Sequence, residues 1–173
     1  TNPVPADGEW REASPAADAT MAEIARRIGS LGGAALIMDY GYTATDRPEG
    51  PTLQAMRGHK RAHALDRPGE ADLTWLPDFD ALEVTARAAA TVETWVTTQG
   101  QFLAELGIGL RAMALSEARP AATGAIADAL ERLTMAEAMG GAFKVLAITP
   151  AGSPRPLGFD PATALPRRRK AAS

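Results

Sequence analysis

The sequence predicts an α/β fold on three observations. Helical and strand-like patterning alternate along the chain, a run apolar on both faces (AALIM, 34–38) follows an amphipathic helix, and a long aperiodic stretch comes where that strand would end. Of the 173 residues, 46% are hydrophobic and 23% charged, which is a globular balance, and no internal repeat breaks the single-domain expectation.

Residues 1–13 predict an irregular start: TNPVPADG carries Pro and Gly without period, and the absence of an initiator Met suggests a chain that begins inside something longer. Thr1 could serve as an amino-terminal nucleophile, but a frayed terminus is the plainer reading. Ser14 then offers an N-cap hydroxyl ahead of Pro15 at the first helical position, and Met21, Ile24, Ala25 and Ile28 repeat at helical spacing. Arg26 and Arg27 are expected in the last turn, with Gly29, Gly32 and Gly33 as the stop. The strand at 34–38 is apolar on both faces, as a parallel strand covered on both sides would be.

Residues 43–77 hold Pro48, Pro51, Pro68 and Pro77 and both histidines, and predict a loop-rich excursion at the carboxyl end of that strand. Ligands of open α/β sheets sit there, so residues 39–77 are the first place to look for function. Asp78 can cap a helix with Phe79, Leu82 and Ala86 on one face, and a strand follows at 92–97. Residues 99–136 predict helix in three pieces broken at Gly107 and near Pro120, with Phe102, Leu103, Leu106 and Ile108 as core. A last strand is expected over 142–149, and 151–173 as a flexible basic tail ending in Arg167, Arg168, Arg169 and Lys170.

Several function classes recede. A net charge of -3 gives no general attraction to nucleic acid or anionic lipid, and the absence of cysteine removes disulfides, thiolate metal sites and a Cys nucleophile. No apolar run approaches the ~20 residues that cross a bilayer, so no membrane insertion is expected. His59 and His63 stand four apart, but among Pro and Gly they lack the helix and third ligand that would make a metal pair, and no metal is expected.

Six blocks, GGAALIMDYGY (32–42), TLQAMRGH (52–59), PGEADLT (68–74), TQGQFLAELGI (98–108), RLT (132–134) and MGGAFKVLAI (139–148), together resemble the MidA family of S-adenosylmethionine-dependent methyltransferases, in the family's order. The resemblance covers residues 12–149 and implies the carboxyl-terminal half of a Rossmann-like class I methyltransferase fold: a mixed sheet with a long insertion and a helical segment. Its last strand, antiparallel, would slot between the two before it. Pro51 and Pro77 depart from the family's pattern, which puts the local loop geometry in question. The family's Gly-rich turn after its first strand has no counterpart, since Gly32-Gly33 precedes a strand; the cofactor residues are therefore unknown, and most would lie in a missing half.

The resemblance further implies methylation of a protein arginine in a respiratory complex I subunit, in the mitochondrial matrix for a eukaryotic chain or the cytoplasm for a bacterial one. Asp39, at the carboxyl end of the first strand, is the candidate catalytic carboxylate that orients a guanidinium and accepts its proton; a strand-end Asp capping backbone N–H groups is the competing reading. Substrate contacts are expected from Tyr40, Gly41, Tyr42, Gln54, Arg57, His59, Glu70, Asp72, Thr74 and Gln99. Tyr40 and Tyr42 could equally pack, Gln99 could equally cap the helix it opens, and Lys144 reads as a solvated strand-edge lysine. The expected partners are the missing amino-terminal half, or another chain covering the sheet edge, and a protein substrate. The alternative is a non-catalytic protein-binding module or assembly factor without cofactor binding.

Overall fold

The computed structural model describes residues 12–162 and residue 165; the readings of Thr1, of the irregular start up to residue 11 and of the basic run 167–170 lie outside them. Helix α1 (Pro15–Leu31) begins as its sequence dictates, with the Ser14 hydroxyl accepting from the Ala17 N–H and proline at the first helical position. It runs through Gly29 to a Gly32 cap at φ 79°, so Arg26 and Arg27 fall short of the last turn and pair back onto Glu23. Gly29 is kept small by packing: a Cβ there would stand 3.1 Å from the Ala90 Cβ.

The main sheet has the order β1 (Ala35–Tyr40), β6 (Phe143–Pro150), β5 (Val92–Thr98), with β6 antiparallel to both neighbours. The chain is thus mixed α/β, and the strands expected at 34–38, 92–97 and 142–149 are all present within a residue or two. One face carries Ala35, Ile37, Leu146, Ile148, Val92 and Val96, which pack under α1 and α2 (Phe79–Ala89) with Met21, Ala25, Ile28, Phe79 and Leu82. Glu83, buried on α2, bonds Arg87 at 2.7 Å and the Thr94 hydroxyl at 2.7 Å, tying that helix to β5.

β1 corrects an expectation. Among the described residues it is the outer strand of this sheet, and on the face away from α1 its Leu36, Met38 and Tyr40 are about half exposed, so these residues cover it on one side only. The other face of β5 and β6 is covered by α3 (Gln99–Glu105) and by the chain beyond β6: Phe159, 2% exposed, meets Phe102 with ring centroids 5.4 Å apart. Where a solvated tail was expected, the described part is docked, with the Asp160 N–H on Glu105 and the Leu165 N–H on Val96 O.

The three helical pieces appear as α3, α4 (Ile108–Ala118) and α5 (Thr123–Thr134), broken at Gly107 in the left-handed region and at a 3₁₀ turn over Pro120–Ala122. Leu106, expected in the core, is 49% exposed because α3 ends there and α4, which buries no residue, turns away from the sheet. The short α6 (Met139–Ala142) leads into β6. Its Gly140 passes so close to the end of α5 that a Cβ would overlap the Thr134 carbonyl.

The excursion is more ordered than its sequence suggests. It folds into a second sheet, β3 (Lys60–Ala62), β2 (Gln54–Arg57), β4 (Asp72–Thr74) in that order, all antiparallel. Gly58 and His59, both with positive φ, form the two-residue hairpin turn between β2 and β3. Glu12, just ahead of α1, clasps this sheet to the body: it accepts from the Thr52 and Leu53 N–H groups at 2.8 and 2.9 Å and from the Thr52 hydroxyl at 2.6 Å.

Candidate functional site

The small sheet leans over the carboxyl end of β1, and the space between them is a recess of about 470 Å³. β1 contributes Asp39 and Tyr40; the entry to β2 contributes Thr52 and Gln54; β4 and the link to α2 contribute Leu73, Thr74, Trp75, Leu76 and Pro77. Asp39 is the charged side chain of this lining. Its Oδ1 accepts from the Tyr40 N–H at 2.8 Å, so it caps the strand end and still presents a carboxylate to the recess. The Tyr40 ring lies against Phe143, with centroids 3.9 Å apart, and Trp75 is 45% exposed. A carboxylate at a recess that is also lined by Tyr40, Trp75, hydroxyl and amide groups suits a planar cation such as a guanidinium.

Of the residues singled out in sequence, Asp39, Tyr40, Gln54 and Thr74 therefore meet in one place. The others stand elsewhere. Gly41 lies where a Cβ would come 2.5 Å from the Phe79 ring and 2.8 Å from the Pro77 carbonyl, so its smallness serves packing. Tyr42 is 7% exposed, with Arg47 over its ring at 5.6 Å. Burial, then the charge of Asp78, pushes its phenol above the ordinary value, which leaves it protonated and no base. Arg57 pairs with Asp66 at 2.6 Å and Glu70 at 3.7 Å within the excursion, His59 occupies the exposed hairpin turn, and Asp72 begins β4 on the register partner of Met56. Gln99 is buried and donates to Leu133 O at 3.0 Å, joining α3 to α5.

Pro77, the family departure, accepts from the Tyr42 N–H through its carbonyl while Tyr42 O accepts from Phe79, so the missing proline N–H leaves this bridge intact.

Sequence reasoning missed the wall of the recess, Thr52, Leu73, Trp75 and Leu76. The signal present was the punctuation of Pro51 and Pro77 around a Thr-Leu pair at each end, TLQ and LTWL, which marks two short strand entries. It also misjudged Lys144. That side chain is 1% exposed in the middle strand, with Nζ 2.8 Å from Asp46 Oδ2 and 2.6 Å from Gly141 O. A lysine there is not a solvated edge, because β5 and β1 flank it and the turn after β1 covers it.

Comparison with known proteins gives this geometry a context. The family model described as "Putative S-adenosyl-L-methionine-dependent methyltransferase" matches residues 2–98. The mitochondrial protein arginine methyltransferase NDUFAF7 of Xenopus tropicalis is 35% identical over 141 residues, covering 80% of this chain and 32% of that protein. The protein of the same name in Mus musculus is 33% identical over 144 residues, covering 82% and 32%. The chain thus spans about a third of the length of these curated relatives. Among solved structures, a Burkholderia thailandensis protein bound to S-adenosyl-homocysteine superposes with a TM-score of 0.71 at 24% identity, covering 87% of this chain and 39% of that one. A native structure of an uncharacterized protein from the same organism gives 0.68 at 25% identity, with the same coverage.

Proposed function

The chain belongs to this family of S-adenosyl-L-methionine-dependent methyltransferases, and from that premise we propose that it forms the acceptor side of a protein arginine methyltransferase. The observation that carries the reading is the recess at the end of β1, whose lining holds the Asp39 carboxylate together with Tyr40, Trp75, Gln54 and Thr74. The names of the relatives support arginine as the acceptor, and a mitochondrial location for a eukaryotic chain. The substrate proposed is a subunit of respiratory complex I.

The family's cofactor supplies an electrophilic methyl group when bound. The described residues do not fit its cradle: Gly32 and Gly33, at φ 79° and 95°, close α1 and enter β1, and do not make the strand-to-helix turn that approaches a nucleotide. What the described residues do is hold the acceptor. A guanidinium is cationic at neutral pH, and the Asp39 carboxylate would orient it by charge-assisted hydrogen bonds. As a guanidino nitrogen gains a methyl group it must lose a proton, and we assign its acceptance to the Asp39 carboxylate because that is the charged side chain of the recess. Gln54 and Thr74 offer further partners beside the apolar Leu73 and Leu76.

We propose further that the open edge of β1 is continued by strands from outside the described residues, giving the larger half of a Rossmann-like sheet. The half-exposed Leu36, Met38 and Tyr40, and the partial span of the relatives, support this.

The test is methyl incorporation from S-adenosylmethionine into an arginine of a complex I subunit by the full-length protein. Asp39→Asn should reduce the rate by about a hundredfold or more with the fold intact. Full activity in that variant would remove Asp39 from the mechanism.

A further inference from the structure

Lys144 carries a charge that the acceptor chemistry leaves unused. It sits on the middle strand in register with Asp39 on one side and Thr98 on the other, and 1% of its side chain is exposed. An ammonium so placed is costly unless it is paired and hydrogen-bonded. Both conditions are met, by Asp46 Oδ2 and by Gly141 O.

The partner is informative. Asp46 closes the first turn after β1: its Oδ1 accepts from the Thr43 N–H at 2.8 Å and lies 3.2 Å from the Thr43 hydroxyl, while its own N–H bonds Thr43 O. Thr43 is 1% exposed, and the next residue, Ala44, donates its N–H to Asp80 at 2.7 Å. The ion pair is therefore buried at its lysine end and half open at its aspartate end, which is the geometry of an anchor. The anchored turn starts four residues beyond Asp39 and leads into the excursion that roofs the recess.

We propose that Lys144 is a positioning residue: through Asp46 it holds the 43–46 turn against β6, and so sets where β1 delivers Asp39 and Tyr40 to the recess. Neither Lys144 nor Asp46 lines that recess. The inference rests on the acceptor reading above.

The experiment is a ¹⁵N NMR titration of the full-length protein with N-acetyl-arginine methylamide. It compares wild type with Lys144→Met, Asp46→Asn and the double variant, with thermal unfolding as the check on folding. Lys144→Met removes the buried charge and leaves only the half-exposed Asp46, so it keeps the fold even if Asp46→Asn, which strands the buried ammonium, does not. Each single change should weaken binding about tenfold, and the double variant should be no weaker than the worse single. The Tyr40 and Thr43 amide resonances should move in the free variants while those of α4 stay. Wild-type affinity in the variants, or losses that add, would overturn the positioning role. If wild type itself fails to bind, the acceptor reading falls. The amide shifts then still decide whether Lys144 governs the strand end, and unmoved Tyr40 and Thr43 resonances would refute it.

Discussion

At the scale of single residues, the site depends on which groups are brought close and on which are kept small. Gly41 has no room for a methyl group beside Phe79 and Pro77, so Gly41→Ala should lower stability by about 1–3 kcal/mol, read as a fall in Tm. Asp46 gives a pH signature. Burial alone would raise its carboxyl, but the Lys144 ammonium and the Thr43 N–H outweigh burial and hold it below its usual 3.8. A carboxyl lowered in the folded state lends stability above its unfolded value, and that stability is lost as pH falls through the lowered one. The urea midpoint should therefore drop between pH 6 and pH 3, and drop less in Asp46→Asn. Asp39 and Tyr40 were legible because a strand's end can be read from its apolar run. Arg57 was not, because nothing local says that its charge is taken by Asp66 and Glu70. Lys144 was misread for a related reason: a strand's pattern does not say whether it lies at the edge or the centre.

At the scale of elements, caps were the most readable feature. Ser14 and Asp78 each close a helix start through a bond to the N–H three residues on. Ser14→Ala should cost about 1 kcal/mol, seen in thermal unfolding, because α1 places Met21, Ala25 and Ile28 on the sheet. The small sheet was opaque. Strands of three or four residues have too little length for a period to show, and their register comes from the Gly58-His59 turn and the Glu12 clasp. The helical hairpin of α4 and α5 was legible in its breaks but not in its burial, since Gly107 and Pro120 mark ends and say nothing of direction.

At the scale of the whole molecule, the order β1-β6-β5 leaves one long edge of β1 unpaired among the described residues, with half-exposed apolar side chains beside it. Such an edge invites pairing. The 173-residue chain alone should self-associate as its concentration rises, and Met38→Lys should suppress this in sedimentation velocity. A chain that stays monomeric at all concentrations would mean the edge is protected by some other means. The strand order itself was reached through the family resemblance, because pattern alone shows three strands but not which lies in the middle.

The Glu12 clasp reaches across 40 residues of chain to hold the backbone of Thr52 and Leu53, neither of which lies within a strand of the small sheet. Those two amides are therefore timed by something other than their own neighbourhood. In a hydrogen-exchange experiment they should open in step with the first turn of α1, while the amides of β3 exchange on a separate and faster clock. The roof of the recess would then be released from its hinge at the start of α1 before its own strands come apart.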